Sequence, residues 1–180
     1  RAGVQFARNM CPSQGTMDVF VEPVLPRPSL IVFGASPVAL ALAAQARPLG
    51  FNVTLAAPSD DLAEAPEADH LVDGFAIDPD CRGERYLVVS TQGRGDEAAL
   101  KAAVAAKADY VGFVGSHRKM AALKQELSEA GIAPTVLDRV KGPAGLDLGA
   151  ITPEEIALSI LAEIITLRRR GQRGESTQQS

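Results

Sequence analysis

Short apolar runs alternate with longer helical patterns along most of the chain. The clearest runs cover residues 30–33, 86–90 and 110–114, and they are rich in Val, Leu and aromatic residues. Continuous runs of this length are typical of strands that are buried on both faces of a parallel sheet. Helical patterns of about 10 to 15 residues follow them, as in βαβ units. The pattern therefore predicts a Rossmann-like α/β fold: a doubly wound, mostly parallel sheet with helices on both faces, in three αβα layers.

Start and stop signals place the remaining elements. Ser36 is a good N-cap and Pro37 suits the first helical position, so a helix is predicted to begin there and to end near Gly50. The acidic stretch from 58 to 80 predicts one short helix and one weak strand near residues 71–77. The other predicted elements are a strand over 51–55, helices over 96–107 and 116–131, a last short strand over 135–137 and an extended segment over 17–24.

The C-terminal part of the chain consists of a glycine-rich loop and a long predicted helix. The loop covers residues 142–150, and Thr152 with Glu155 makes a capping box, with Pro153 at the first helical position. The helix is predicted to lie on the core because its apolar residues form one stripe. The stripe consists of Ile156, Ile160, Ile164 and Leu167.

The domain boundaries follow from where the apolar patterns begin and end. Residues 1–28 are predicted to form an N-terminal arm with one extended segment, and residues 29–170 the Rossmann-like domain. The polar residues 171–180 have nothing to bury and are predicted to be disordered. The arginine run at 168–170 suits a helix C-terminus, where cations interact favourably with the dipole. The chain begins with Arg1 rather than Met, and we expect that an upstream segment is missing.

Composition and charge narrow the function classes. The 180 residues are 46% hydrophobic and carry a formal net charge of -4, whereas a dedicated nucleic-acid binder would show a basic surface. No apolar run reaches the roughly 18 residues of a membrane span. Cys11 and Cys81 have no second Cys or His at ligand spacing, which argues against a zinc site or a disulfide framework. This use of cysteine favours the reducing cytoplasm.

The loop after the first buried run occupies the position of a dinucleotide fingerprint. Its residues Gly34, Ala35, Ser36 and Pro37 stand where a helix N-terminus would meet a pyrophosphate, but the glycine spacing is broken. Ala57 stands near the place where an acidic residue would hold a ribose hydroxyl. The loop therefore disfavours an NAD site of the usual kind and leaves two alternatives, an anion site and a plain capped helix.

Two further loops should meet at the same edge of the sheet. Thr91 and Gln92 suit polar contacts to a ligand, although the alternative is that their loop only leads to Asp96 as a helix N-cap. In the other loop, two cations occupy the first turn of a helix, where they oppose the dipole, so an anion is expected to meet them. The residues of this predicted phosphate site are Gly115, Ser116, Arg118 and Lys119.

Three candidates have a weaker basis. Gly145 and Asp147 lie in the glycine-rich loop, where Asp147 accepts hydrogen bonds either from a ligand ring or from the loop itself. Cys11 is either a small buried hydrophobe or a thiol that faces a ligand. His70 and His117 are too few and too far apart for a metal centre, and the sequence shows no nucleophile–base pair.

Several segments, taken in order, resemble the XdhC/CoxI family. They span most of the chain, from about residue 9 to residue 170, and the last two are the most specific. The segments are residues 11–24 (CPSQGTMDVFVEPV), 34–39 (GASPVA), 91–93 (TQG), 96–100 (DEAAL), 110–116 (YVGFVGS), 142–150 (GPAGLDLGA) and 152–164 (TPEEIALSILAEI).

The resemblance implies an accessory protein, a chaperone rather than an enzyme. Members of the family serve molybdenum hydroxylases such as xanthine dehydrogenase and carbon monoxide dehydrogenase. They are understood to bind the molybdenum cofactor, as molybdopterin or its cytosine dinucleotide, while it receives sulfur from a cysteine desulfurase, and to pass it to the hydroxylase apoenzyme. Relatives are often homodimers.

The chain also departs from the family pattern. Many relatives have an acidic residue where this chain has Ala57, and relatives commonly have Arg where it has His117. Most members have a further domain before the equivalent of Arg1. Two other functions stay open from the residues: an NAD(P)-binding oxidoreductase, and a ligand-free scaffold that docks the hydroxylase.

Overall fold

A parallel sheet forms the centre of the protein. The computed structural model describes residues 19–20, 26–63, 68–78 and 83–177, with side chains as far as residue 170. Within these ranges the sheet has six strands in the order β3-β2-β1-β4-β5-β6, and every pair is parallel. The strands are β1 Ser29–Phe33, β2 Asn52–Ala57, β3 His70–Asp73, β4 Arg85–Val89, β5 Tyr110–Phe113 and β6 Val140–Lys141. The predicted fold class is therefore confirmed.

Helices cover both faces of this sheet. They are α1 Pro37–Ala46, α2 Ser59–Leu62, α3 Asp96–Ala105, α4 His117–Glu129, α5 Pro134–Leu137 and α6 Pro153–Thr177, with a 3-10 turn at Arg47–Leu49. Alternate side chains of β1 point to opposite faces, as in any strand. Leu30 and Val32 pack with α1 and α6, whereas Ile31 and Phe33 pack with α3 and α4. This double burial explains why the strand reads as a continuous apolar run.

The predicted helix starts are confirmed by their caps. The Ser36 hydroxyl accepts a hydrogen bond from the backbone N–H of Ala39 at 3.1 Å. The Ser116 hydroxyl accepts one from the N–H of Lys119 at 3.2 Å. At the start of α6 the capping box is reciprocal: the Glu155 N–H donates to Thr152 Oγ1, and the Thr152 N–H donates to Glu155 Oε2.

The C-terminal half corrects two predictions. Residues 135–137 form part of the short helix α5 instead of a strand, because Pro134 fits a first helical turn and only Leu137 there is buried. The last strand is Val140–Lys141. The core stripe of α6 does not extend to Leu167, which is 43% exposed.

The chain ends are described only in part. Helix α6 continues to Thr177, beyond the predicted domain end at residue 170. The predicted extended segment over 17–24 lies mostly outside the described residues, as does Cys11. Across the described ranges, no helix is long and apolar enough to cross a membrane.

Candidate functional site

The carboxyl ends of the parallel strands gather the predicted loops at one edge of the sheet, where doubly wound folds place their ligands. The loop after β1 lies directly against the end of β4. A Cβ atom added to Gly34 would lie 2.4 Å from the backbone oxygen of Ser90, and Gly34 has φ +110°, so only glycine fits. We name two of the openings near this edge the crevice and the cleft; a further one of about 420 Å³ lies between α3 and α4 and is lined in part by Asp96 and Lys119.

The crevice lies between the loops after β1 and β4 and has a volume of only about 30 Å³. A cavity of this size holds little more than water. Its walls include predicted site residues from both loops, and two of its lining residues, Arg94 and Asp61, form an ion pair of 3.1 Å. Its lining is Gly34, Ala35, Ser36, Pro58, Asp61, Phe75, Thr91, Gln92 and Arg94.

The hydroxyl of Ser36 is already engaged within the crevice wall. It lies 2.7 Å from the hydroxyl of Ser90, and both side chains are buried. It also caps α1, whose first residue is Pro37. Ser36 therefore joins the start of α1 to the end of β4. Both hydrogen bonds of its hydroxyl stabilise the fold.

Asp96 organises the loop after β4. Its Oδ1 accepts hydrogen bonds from the Thr91 hydroxyl and from the Gly93 N–H, and its Oδ2 pairs with Lys119 Nζ at 2.6 Å. Burial acts to raise the pKa of Asp96, but the hydrogen bonds from Lys119 and Thr91 outweigh it and lower that pKa below its ordinary value. Asp96 is not the N-cap of α3, because Gly95 holds that position.

The ion pair with Asp96 also accounts for Lys119. Its ammonium lies 5.6 Å from the centre of the Phe113 ring, and so has a carboxylate and an aromatic face as partners. The anion that was expected to meet Lys119 is thus the carboxylate of Asp96, which belongs to the protein itself. Arg118 is exposed, and its side chain makes no ion pair or hydrogen bond within the described part of the chain.

The cleft lies between β5, β6 and the start of α6, and its volume is about 560 Å³. This is within the range of pockets that hold small molecules, about 300–1,000 Å³. Gly115, Gly145 and Asp147 line it as predicted site residues, whereas Ser116, Arg118 and Lys119 do not. Its lining is Val114, Gly115, His117, Lys141, Gly142, Pro143, Ala144, Gly145, Leu146, Asp147, Leu148, Gly149, Ala150, Ile156 and Ser159.

The glycine-rich loop of the cleft is fixed to the fold by close packing. The N–H of Ala144 donates to the backbone oxygen of Phe113, and the N–H of Leu146 donates to that of Ser159. A Cβ atom added to Gly145 would lie 2.3 Å from the Ser159 hydroxyl, and Gly145 has φ +100°. The loop therefore sits on α6 at a distance that only glycine permits.

A buried carboxylate lies beneath this loop. Glu163 is only 8% exposed, and it accepts hydrogen bonds from the Tyr110 hydroxyl at 2.7 Å and the Gly145 N–H at 2.9 Å. Lys141 Nζ lies 2.9 Å from its other oxygen. Burial acts to raise the pKa of Glu163, but Lys141 and Tyr110 outweigh it and lower that pKa. Burial and Glu163 together raise the pKa of the Tyr110 hydroxyl.

Sequence reasoning missed Glu163 and Lys141. In the sequence, Glu163 stands among the apolar residues of α6 that face the core. This position could have indicated a site, because a buried carboxylate needs a hydrogen-bond or charge partner. Lys141 gave no signal, since the short strand β6 was not predicted. Among the described residues, no cluster of three His, Cys, Asp or Glu side chains could hold a metal ion.

Exposed apolar side chains lie near the cleft, and we call them the apolar rim. Ile151 is 84% exposed, and Leu148 and Leu158 are also largely exposed. Leu148 lines the cleft, Ile151 directly follows the glycine-rich loop, and Leu158 lies on α6. Exposed apolar groups concentrated in this way are typical of surfaces that contact another molecule.

Comparison with known proteins gives related sequences and a related structure. The chain is 31% identical to the uncharacterized protein YqeB of Escherichia coli (strain K12) over 172 residues, 89% of this chain and 31% of that protein. It is also 31% identical to a protein of Bacillus subtilis (strain 168) that is named as a probable subunit of xanthine dehydrogenase. That match extends over 163 residues, 86% of this chain and 47% of the relative.

A solved structure shares the fold. The crystal structure of a xanthine dehydrogenase from Bacillus halodurans matches with a TM-score of 0.66 and 29% identity, over 81% of this chain and 44% of that chain. The chain thus spans less than half the length of each of these three relatives.

A family model gives the assignment directly. The model of the XdhC Rossmann domain matches residues 30–164, from the first strand to the buried part of α6. These residues include both openings at the carboxyl edge of the sheet. The chain belongs to the XdhC family and contains its Rossmann domain.

Proposed function

We propose that this chain acts as an accessory protein, not an enzyme, that binds the molybdenum cofactor as cargo in the cleft. It keeps the cofactor protected during sulfuration by a cysteine desulfurase and assists its insertion into a molybdenum hydroxylase. The observation that carries the proposal is the cleft itself, which is about 560 Å³ in volume and is lined mainly by residues 142–150 and the start of α6, the two segments of the most specific resemblance.

The chemistry of the cleft walls suits this cargo. A molybdopterin offers a flat heterocycle with polar edges and an anionic phosphate. Val114, Leu146 and Ile156 provide apolar surface, and His117 and Asp147 provide polar groups. The side chains of these two polar residues make no hydrogen bond or ion pair within the described ranges, so they are available to a ligand.

The relatives support a hydroxylase partner. Two of them are named as a xanthine dehydrogenase or a subunit of one, which is a molybdenum hydroxylase. A protein that delivers cargo must meet the recipient at the mouth of its pocket. The exposed Leu148 lies on the glycine-rich loop that lines the cleft, and the exposed Ile151 directly follows that loop.

The nicotinamide alternative has less support. The crevice at the dinucleotide position has room for little more than water, and β2 ends at Ala57, which has no group to hold a ribose hydroxyl. The scaffold alternative has one favourable observation, the exposed apolar rim. It predicts that the hydroxylase binds this rim with equal affinity whether or not the cleft is filled.

Anaerobic equilibrium binding of isolated molybdenum cofactor tests the proposal, with NAD, NADP and CTP as competitors. We expect saturable binding of one cofactor per chain that NAD does not displace, and competition by CTP identifies the dinucleotide form. Asp147→Ala, in the cleft, should weaken binding. Asp60→Ala removes an exposed carboxylate in α2 that lines neither the crevice nor the cleft, and it should leave cofactor binding unchanged. Displacement by NAD, or equal affinity of the two variants, would contradict the proposal.

A further inference from the structure

Glu163 is almost fully buried, which is unusual for a carboxylate. Its two oxygens have different partners. Oε2 accepts hydrogen bonds from the Tyr110 hydroxyl and the Gly145 N–H, which fasten the glycine-rich loop to β5. Oε1 faces Lys141 Nζ at 2.9 Å. One oxygen therefore holds the loop, and the other holds a lysine.

Lys141 connects this buried carboxylate to the cleft. Its side chain is 53% exposed and forms part of the cleft lining. An ammonium group has three N–H donors, so after its bond to Glu163 it keeps two for another partner. A phosphate that enters the cleft can accept hydrogen bonds from these donors, whereas the Glu163 carboxylate beneath the loop offers it none.

Among the described residues, no other lysine or arginine lines the cleft. Arg118 and Lys119, the cations that the sequence suggested, lie outside its lining. Among the described residues that line the cleft, Lys141 is the only one with an ammonium or guanidinium group.

We propose that Lys141 is the phosphate-binding cation of the cleft and that Glu163 is the positioning residue that orients it. This inference rests on the proposed function. A free lysine loses rotamer entropy when it binds a ligand, whereas the pair with Glu163 orders the side chain in advance. Glu163 thus fixes the position of the Lys141 ammonium without touching the ligand.

Inorganic phosphate is the first probe. Its binding is detected by nuclear magnetic resonance of the isotope-labelled protein. In the unmodified protein, phosphate should shift the backbone signals of His117 and Gly145 in a saturable way. Lys141→Met should weaken this binding at least about tenfold, as expected for a lost charge-assisted hydrogen bond. Glu163→Gln should weaken it less, and the double variant should bind no more weakly than Lys141→Met alone.

Matched variants separate positioning from simple loss of structure. Lys101→Met removes an ammonium that is also ion-paired and half exposed, but on α3, and should leave phosphate affinity unchanged. Tyr110→Phe removes a donor from the other Glu163 oxygen, so it should lower the free energy of unfolding and weaken phosphate binding less than Lys141→Met does. A pterin without a phosphate should bind Lys141→Met as well as it binds the unmodified protein.

The outcomes distinguish this inference from the proposed function. Phosphate binding that depends on Lys141, with no binding of molybdenum cofactor, would support the phosphate site and overturn the cargo. Cofactor binding with equal phosphate affinity in Lys141→Met would overturn the inference and leave the cargo standing. Absence of phosphate binding at the cleft of the unmodified protein would also overturn the inference, as would equal losses for phosphate and the phosphate-free pterin.

Discussion

The crevice beside β1 and the cleft beside β5 and β6 lie at the same edge of the sheet but are built differently. In the crevice the polar groups bond to one another: Ser36 to Ser90, and Arg94 to Asp61. In the cleft the internal bonds lie beneath the surface, around Glu163, and the lining keeps groups that face the opening. Our proposal therefore does not follow from fold position alone: the crevice lies at the conventional dinucleotide position, whereas the cleft has the volume for a ligand.

The largest expected effect comes from filling the space under the glycine-rich loop. Gly145→Ala should lower the free energy of unfolding by about 3 kcal/mol, since its Cβ would meet Ser159 and its φ is positive. It should also abolish ligand binding in the cleft. Gly149→Ala is the control, because that glycine has positive φ but no atom within 4 Å, and it should cost about 1 kcal/mol. Equal costs in chemical denaturation would contradict the described packing.

Gly34→Ala tests the crevice in the same way. Its Cβ would meet the backbone of Ser90, so we expect a loss of about 3 kcal/mol in chemical denaturation. The remaining folded protein should bind cargo with unchanged affinity, because the crevice is structural. A variant that folds normally but loses the cargo would place the ligand in the crevice and reverse the comparison.

Tyr110→Phe should have an intermediate effect. It removes a hydrogen bond to a buried charged group, which is worth about 1.5–3 kcal/mol, while the ring keeps its packing. Thermal unfolding should occur at a lower temperature, and hydrogen exchange at Gly145 should accelerate. Unchanged exchange at Gly145 would show that Glu163 holds the loop without Tyr110.

Acid should lower the stability of the protein by protonating Glu163, beneath the cleft loop, and Asp96, which organises the loop after β4. The pKa values of Glu163 and Asp96 are lowered by folding, so each contributes stability that is complete above the ordinary values of 4.5 and 3.8 and is lost as the pH falls. Glu163→Gln and Asp96→Asn should each be less stable than the unmodified protein near neutral pH, and the difference should shrink in acid. Denaturation at several pH values measures this difference in stability. A difference that grows in acid would mean that folding raises these two pKa values, which would contradict the account.

The smallest effect is expected at the surface of the crevice. Arg94→Ala breaks an exposed ion pair with Asp61, and such pairs contribute about 0–1 kcal/mol. Stability should change little, and NAD should still fail to bind. Tight NAD binding by this variant would mean that the ion pair alone keeps the dinucleotide position closed.

The sequence predicted the parts of the fold that have strong local signals. The continuous run at residues 30–33 is a strand buried on both faces, and Ser36 and Thr152 cap the helices that follow them. Residues 135–137 misled the prediction, since the β-branched Thr135 and Val136 suit a strand but Pro134 begins a helical turn. A stretch of this length carries too little periodicity to decide between the two.

The site was less predictable because it depends on contacts between distant residues. The sequence identified the loops at Gly115 and at residues 142–150, which do line the cleft. It also selected Lys119 from its place in a first helical turn, although its partner Asp96 comes from the loop after another strand. Glu163 and Lys141 meet only in the folded chain, so no local pattern brings them together.

Hydrogen exchange with and without isolated molybdenum cofactor tests the central claim most directly, because it reports the two openings in one experiment. We predict that the cofactor protects backbone amides in residues 114–117 and 142–150, which line the cleft, and leaves residues 34–37 and 91–94 unchanged. Protection confined to residues 34–37 and 91–94 would contradict the account and make the crevice the binding site.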